Sequence, residues 1–272
     1  MIPRQHDPAA AGRRLHPIEA LIPLALSFLL LLPVGGFLQA RLGFAGMALT
    51  ELLVVLFPIV AMAAAARVSP SVAFGLRVPP LASFAGAALA GAGGFYLVFG
   101  GLELIQERVA PLPPEMRRQL RDLILPPSGP RPLPVDLAAL ALLPAFCEEL
   151  LFRGALLRAL TDSSADRFAR LSALLFSALA FGAFHFSLYK FLPTAVLGLL
   201  FGAIALQSGS VWPSMLMHAL NNALVVVLLR AGREDPPGDG IFVRIAVLVL
   251  AVPAVAFGVR LVRPGDSAQS AR

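Results

Sequence analysis

The feature that most constrains this chain is a series of apolar runs, each about as long as a membrane-spanning helix. Such a helix needs about 20 consecutive, mostly apolar residues, and about eight runs of this kind fill the 272-residue sequence. They lie at about 18–38, 44–66, 81–105, 136–160, 168–188, 191–208, 211–229 and 241–262. The sequence therefore predicts an all-α, polytopic integral membrane protein with about eight transmembrane helices.

Composition excludes the other broad classes of protein. Hydrophobic residues make up 58% of the chain and charged residues only 14%, whereas soluble domains have roughly 45–50% and about 25%. A disordered chain would need low hydrophobicity and high charge. The net charge is +6, but the basic residues lie between the apolar runs. This distribution indicates loops that face lipid headgroups, with the bilayer rather than nucleic acid as the partner.

The sequence predicts a single membrane domain with short polar tails. The tails are 1–17 and 263–272, and the membrane domain is 18–262, with a catalytic core at about 140–230. The first run is too long for the core of a signal peptide, so we expect it to be retained. Loop charges favour both termini on the cytoplasmic side. A short amphipathic helix at about 115–125 is expected to lie on the membrane surface.

Three charged residues interrupt the fourth apolar run, namely Glu148, Glu149 and Arg153. Each ionised residue near a helix centre costs about 2.5–3.5 kcal/mol, so such groups persist where they pair, face a wet cavity or do chemistry. Glu149 and Arg153 are four residues apart and can form an ion pair. Glu148 has no partner in its own segment, which suits a general acid or base. The alternative is a buried ion cluster that only fixes helix packing.

Two of the four histidines also lie in apolar runs. His185 follows Phe181 by four residues near the end of the fifth run. His218 precedes Asn222 by four residues in the seventh run, so these two side chains point in one direction. A lone histidine in a span is usually a packing residue. Two histidines, an asparagine and a glutamate on such helices together indicate a functional site.

The motifs E-E-x-x-x-R, F-x-x-x-H and H-x-x-x-N, in this order, resemble those of the CPBP family of intramembrane proteases. This family is also called the Abi or CAAX-protease-like family and includes the type II CAAX prenyl endopeptidases. The matching residues are Glu148, Glu149, Arg153, Phe181, His185, His218 and Asn222. The resemblance covers about 140–230, roughly a third of the chain. It implies an all-α fold of about eight spans with a polar catalytic chamber inside the membrane.

The chemistry available to these residues is peptide hydrolysis by an activated water. No Ser-His-Asp triad and no HExxH zinc helix is evident in the sequence. Glu148 and His185 can hold and deprotonate a water molecule, while His218 and Asn222 can donate hydrogen bonds to the oxyanion. This assignment resembles the glutamic-type mechanism proposed for the family. Glu149, Arg153 and Phe181 then have structural roles, in which they hold the catalytic residues in place.

A metal-dependent version would use the same residues. Glu148, His185 and His218 form an acceptable two-histidine, one-glutamate zinc set with an open fourth position. We favour the version without a cofactor, because Asn222 beside His218 suits an oxyanion donor better than a zinc ligand. Cys147 is the single cysteine, and we interpret it as a packing residue. The sequence assigns no role to Glu51 and Glu103 beyond pairing or an interfacial position.

The leading hypothesis is therefore an endopeptidase that cuts membrane-tethered peptides or proteins. The composition, rich in Ala, Leu, Arg, Gly and Pro, is typical of a high-GC bacterium, which indicates a multi-pass protein of the bacterial inner membrane. The expected reaction is processing of a C-terminal sorting tag or a CAAX-like end. One alternative is a bacteriocin self-immunity protein of the same family. Another is a polytopic transporter or proton relay, against which the lack of an inverted repeat argues.

Overall fold

The computed structural model of the protein describes residues 13–102, 108–109, 111–126, 129–163, 166–232 and 241–263. These residues form helices and connecting turns, and no strand occurs among them. The all-α fold class predicted from the sequence is therefore confirmed. Most of the predicted N-terminal tail, the C-terminal tail beyond 263 and Glu103 lie outside the described residues.

Apart from a four-residue helix at Pro70–Ala73, the described part of the chain contains eight long helices that coincide with the eight predicted apolar runs, and one shorter helix between the third and fourth of them. In chain order they are α1 (Pro17–Leu42), α2 (Phe44–Ala65), α3 (Leu81–Leu102), the shorter α4 (Pro114–Ile124), α5 (133–162), α6 (Arg167–Ala183), α7 (Leu188–Ser208), α8 (Trp212–Arg230) and α9 (Ile241–Leu261). Five π-helical stretches interrupt them, at Leu31–Gly35, Glu51–Leu56, Val98–Leu102, Ala138–Leu142 and Leu150–Leu157.

Five of these helices are long and apolar enough to cross a membrane, namely α1, α2, α3, α7 and α8. The chain is thus a multi-pass membrane-embedded protein, whereas the predicted count of eight spans is not confirmed. The helix α5 is too charged to qualify, since Glu148, Glu149 and Arg153 lie in its middle. The helices α6 and the described apolar part of α9 are each 17 residues long, slightly shorter than a typical span.

Contacts between helix ends show that successive long helices run in opposite directions. Arg14, just before α1, forms a 2.8 Å ion pair with Asp162 at the end of α5. Ser210, in the turn between α7 and α8, donates a hydrogen bond of 2.6 Å to the carbonyl of Arg77, just before α3. Ser83, near the start of α3, accepts a hydrogen bond from the backbone of Arg263, just after α9. We call this the N-terminal end of the bundle.

A buried carboxylate ties the opposite end together. Asp136, which is completely buried near the start of α5, lies 2.7 Å from Nε of Arg131 and 2.8 Å from Nη1 of Arg230 at the end of α8. The guanidinium of Arg131 also lies 3.9 Å from the ring centroid of Phe44, the first residue of α2. Two arginines thus pair with one buried acid, and these contacts connect the ends of α2, α5 and α8.

Small residues allow α3 and α9 to pack closely. A Cβ atom placed on Gly258 would lie only 2.6 Å from the backbone of Gly86 and Ala90, so a larger residue at Gly258 would force these helices apart. Close approach at small residues is a common basis for helix association in membranes. Outward-facing apolar side chains such as Leu29, which is 72% exposed, form the surface offered to lipid.

The predicted connector helix is present as α4. Its arginines, Arg117 and Arg118, are exposed, whereas Met116 is half-buried, which agrees with an amphipathic helix. Its position on the membrane surface remains a prediction.

Candidate active site

The charged residues of α5 face the inside of the bundle. Glu149 and Arg153 are essentially inaccessible, with exposures of 0% and 1%, and Glu148 is 8% exposed. The helix changes from α-helical at Leu143–Glu149 to π-helical at Leu150–Leu157 directly after the two glutamates. Such π-helical segments are frequent at functional sites. The helix therefore carries its charges into the protein interior rather than toward lipid.

The predicted ion pair within α5 is present. Nη1 of Arg153 donates a hydrogen bond of 2.8 Å to Oε1 of Glu149. Nη2 of Arg153 donates a second one, of 3.0 Å, to the carbonyl of Gly198 on α7. The guanidinium also lies 4.3 Å from the ring centroid of Phe181 and 5.4 Å from that of Phe201, within the range of cation–π attraction. Arg153 is thus fixed by three helices.

The ring of His218 lies between the two glutamates. Its Nδ1 is 3.1 Å from Oε1 of Glu149, and its Nε2 is 3.9 Å from Oε2 of Glu148. The ring stacks on Phe201, with centroids 4.9 Å apart and planes 21° from parallel. Because an ionised Glu149 can only accept hydrogen bonds, we assign the Nδ1 proton to this contact, and Nε2 is then the nitrogen directed at Glu148.

The gap between His218 and Glu148 is chemically informative. A separation of 3.9 Å is too long for a direct hydrogen bond, and a polar contact beyond about 3.5 Å is one that a water molecule can bridge. Among the described residues, Oε2 of Glu148 is buried without a hydrogen-bond partner. An unpartnered carboxylate oxygen and an imidazole nitrogen thus face each other at a spacing that suits a shared water.

His185 lies in a turn, and not within an apolar helix as the sequence predicts. The helix α6 ends at Ala183, and Phe186 has a φ of +46°, a left-handed conformation that is strained for an aromatic residue. The side chain of Ser187 then caps α7. Two consecutive helices therefore meet at His185, because Phe186 reverses the backbone and Ser187 starts the next helix.

The contacts of His185 connect it to the cluster through an aromatic ring. Its Nδ1 is 3.0 Å from the carbonyl of Phe181, and its ring meets the edge of Phe181 with centroids 5.3 Å apart. The ring of Phe181 also meets that of His218, with centroids 5.6 Å apart. His185 is also within electrostatic range of His218 and Arg153. The two histidines thus contact the same aromatic ring.

Asn222 follows His218 by one turn of α8 and is half-buried. Its Oδ1 accepts a long hydrogen bond of 3.5 Å from Nδ2 of the neighbouring Asn221. The structure therefore brings Glu148, Glu149 and His218 together and places His185 against Phe181, which also contacts His218. Participation of Asn222 in the same cluster remains a prediction, based on its shared helix face with His218.

Glu51 is a nearby carboxylate to which the sequence analysis assigned no role. It begins the π-helical stretch of α2, which packs against the part of α5 that carries the glutamates. Glu51 lies within electrostatic range of Glu148 and Cys147, and among the described residues its Oε2 is buried without a partner. The signal available in the sequence was the carboxylate itself, in a run otherwise free of charge.

The zinc set considered above does not form a ready metal site. In the described part of the chain, no group of three His, Cys, Asp or Glu side chains is arranged to hold a metal ion. The rings of His185 and His218 both contact Phe181. Cys147 is completely buried beside two carboxylates, which agrees with a packing role.

Comparison with protein families identifies the part of the chain that contains this site. Residues 130–224 match the family described as Type II CAAX prenyl endopeptidase Rce1-like. The matched segment contains every residue of the three motifs, and the resemblance to the CPBP family is confirmed. The family implies CAAX-type protease activity on membrane-associated protein substrates. Comparisons with curated proteins and with solved structures gave no match.

Proposed function

We propose that this protein is an intramembrane endopeptidase of the glutamic type that cleaves a membrane-tethered peptide or protein without a metal cofactor. The observation that carries this proposal is the 3.9 Å gap between Nε2 of His218 and Oε2 of Glu148, within the segment that matches the endopeptidase family. A water that bridges these two atoms would be the one that hydrolysis consumes, and Glu148 is only 8% exposed, so bulk solvent has little access to it.

In the proposed reaction, Glu148 is the general base and then the general acid. Its carboxylate takes a proton from the water, whose oxygen bonds to the carbonyl carbon of the substrate while the C=O electron pair moves onto oxygen. The resulting tetrahedral intermediate collapses, the C–N bond breaks, and the proton held by Glu148 passes to the leaving nitrogen. His185, which contacts the same Phe181 ring as His218 does, is the second residue proposed to hold the water.

His218 and Asn222 are the proposed donors to the oxyanion. Because Nδ1 of His218 already donates to Glu149, Nε2 can donate to the oxyanion only when both ring nitrogens carry a proton. Glu149 and Arg153 orient the ring rather than touch the substrate. Preorganised donors of this kind commonly account for the largest part of catalysis in acyl transfer.

The proposed substrates carry a cleavable C-terminal segment at the membrane, either a sorting tag or a CAAX-like end. The test uses protein purified in detergent and fluorogenic peptides of both classes, with and without a chelator. We expect cleavage of one class by the wild type, no effect of the chelator and no cleavage by Glu148→Gln. The exposed Glu115→Gln variant, with the same chemical change, is the matched control and should retain full activity.

Two outcomes would revise the proposal. Activity that is lost on adding the chelator and restored by one zinc ion per chain would overturn the metal-free mechanism, but the proposed endopeptidase activity would stand. Cleavage by the Glu148→Gln variant at the wild-type rate would show that Glu148 has no role in the reaction.

A further inference from the structure

A cavity of about 480 Å³ opens at the N-terminal end of the bundle, separate from the gap between His218 and Glu148. Four arginines line it, namely Arg14, Arg153, Arg158 and Arg170, together with one acid, Asp162. We call it the basic cavity. Its volume lies in the range of small-molecule sites, about 300–1,000 Å³, and its lining favours an anion.

Pairing within the protein neutralises only part of this charge. Arg153 is paired with Glu149, and Arg14 with Asp162. Arg158 donates a hydrogen bond of 3.3 Å from Nη1 to the carbonyl of Gly209, and its buried Nε has no partner among the described residues. Together with the exposed Arg170, Arg158 therefore leaves two positive charges in excess at the cavity wall.

The position of Arg158 depends on a close backbone approach. A Cβ atom on Gly75 would lie 2.6 Å from Nη1 of Arg158, and Gly75 itself has a φ of +64°, which favours glycine. The guanidinium is thus held against the loop before α3 and not free to turn into solvent. A fixed, partly unpaired guanidinium is the geometry that suits a phosphate or carboxylate.

A second, apolar groove of about 270 Å³ adjoins the basic cavity on the outer side of the bundle. Arg170 and Leu206 line both, and the groove adds Arg167, Leu171 and Leu174. Leu171 is 52% exposed, and outward side chains further along the same helix, Leu175, Phe176 and Leu179, are also apolar. The arginines and the groove are therefore continuous, with charge at the end of the helices and apolar surface running toward their middle.

We propose that these two cavities together bind an anionic phospholipid. Its phosphate lies between Arg158 and Arg170 in the basic cavity, and an acyl chain lies in the groove along Leu171 and Leu174. Basic pockets between transmembrane helices commonly bind lipid headgroups, and the headgroup neutralises the two uncompensated charges. Arg153 forms the inner wall, so the lipid lies one residue away from the Glu149–His218 contact. The proposal does not depend on the proposed endopeptidase activity.

The experiment titrates purified full-length protein in a neutral detergent with phosphatidylglycerol, phosphatidylcholine or sodium phosphate. Native mass spectrometry counts bound lipid, and thermal unfolding reports stabilisation, because a ligand that binds only the folded state raises the unfolding temperature. We expect one phosphatidylglycerol per chain to bind at least about tenfold more tightly than phosphatidylcholine, with little effect of sodium phosphate.

Variants test the location of the site. Arg158→Gln combined with Arg170→Gln should weaken binding of phosphatidylglycerol about tenfold or more. Arg260→Gln, an exposed arginine at the same end that lies outside the cavity, should bind as the wild type does. If the double variant does not fold, the single Arg170→Gln variant carries the test, since Arg170 is exposed and only modest loss of structure is expected.

Three results would overturn the proposal. They are equal binding of phosphatidylglycerol and phosphatidylcholine, wild-type affinity in the Arg170→Gln variant, and stabilisation by sodium phosphate as large as that by phosphatidylglycerol. The last result would identify a site for free phosphate in place of a lipid.

Discussion

His218 makes the two glutamates of α5 unequal. Glu149 accepts hydrogen bonds from both Arg153 and His218, whereas Glu148 is directed at the unused nitrogen across a gap. Two adjacent residues of one type thus have different surroundings: Oε1 of Glu149 has two partners, whereas Oε2 of Glu148 has none among the described residues. The glutamate that supports the structure and the glutamate proposed to perform the chemistry are therefore neighbours in the chain.

The first prediction compares these two glutamates. Glu148→Gln should abolish cleavage and leave thermal stability close to that of the wild type. Glu149→Gln should lose activity and also about 3–5 kcal/mol of stability, since it leaves the buried charge of Arg153 uncompensated. The measurements are peptide cleavage and thermal unfolding in detergent. Equal activity loss with normal stability in both variants would contradict the division of roles.

The second prediction concerns the amide of Asn222. If Asn222 donates to the oxyanion, Asn222→Ala should lower kcat by about 10²–10³ and leave KM nearly unchanged. The neighbouring Asn221→Ala variant is the matched control, because this amide lies about 100° around the helix, and it should keep most of its kcat. A rise in KM without loss of kcat in Asn222→Ala would instead indicate a residue that only binds substrate.

The sequence predicted some of these residue contacts and not others, for a physical reason. Glu149 and Arg153 lie one helical turn apart, so periodicity alone places them together. Glu149 and His218 are separated by 69 residues, and their contact depends on how α5 and α8 pack. No local rule contains that information. The same holds for Glu51, whose position next to Glu148 follows from the packing of α2.

At the level of elements, the boundaries of the apolar runs predicted the boundaries of the helices well, but they did not predict the turns between helices. The run lengths gave α1, α2 and α3 to within a few residues at the ends that the structure describes. The sequence placed His185 inside an apolar segment, but α6 ends at Ala183. Residue propensities do not predict this turn, because it depends on a left-handed conformation of Phe186 that an aromatic residue rarely adopts.

The third prediction contrasts buried acids in two different helices. Asp136 of α5 is paired with Arg131 and Arg230, so Asp136→Asn should cost about 3–5 kcal/mol by leaving buried positive charge uncompensated. Glu51 of α2 has a buried oxygen without a partner among the described residues, so Glu51→Gln should cost little stability or raise it. Thermal unfolding of both variants checks this, and a large loss in Glu51→Gln would show that Glu51 has a structural partner.

At the level of the whole molecule, the alternating helices give the bundle two distinct ends. The N-terminal end includes the start of α1, the end of α9 and the basic cavity. The turn at His185 lies toward the opposite end, because α6 begins beside Arg170 and runs away from that cavity. The His185 turn and the proposed lipid site therefore lie at opposite ends of the bundle, and Arg153 contacts both the basic cavity and Phe181.

The last prediction assigns these ends to the two sides of the membrane. Many short loops at the N-terminal end carry arginines, such as Arg67, Arg77 and Arg167, and basic short loops favour the cytoplasm. We introduce Arg260→Cys at that end and Arg118→Cys on α4, and label intact cells with a membrane-impermeant maleimide. Cys147 is completely buried, so it contributes little background.

We expect labelling of the Arg118→Cys variant in intact cells and of the Arg260→Cys variant only after the cells are permeabilised. That result puts the His185 turn on the non-cytoplasmic side. For a substrate that enters at this end of the bundle, it favours removal of a sorting tag after export. The reverse labelling pattern would put the His185 turn on the cytoplasmic side and, for the same route of entry, favour a CAAX-like end made in the cytoplasm. The orientation of the bundle therefore distinguishes the two substrate classes, because an exported sorting tag lies on the non-cytoplasmic side and a CAAX-like end lies on the cytoplasmic side.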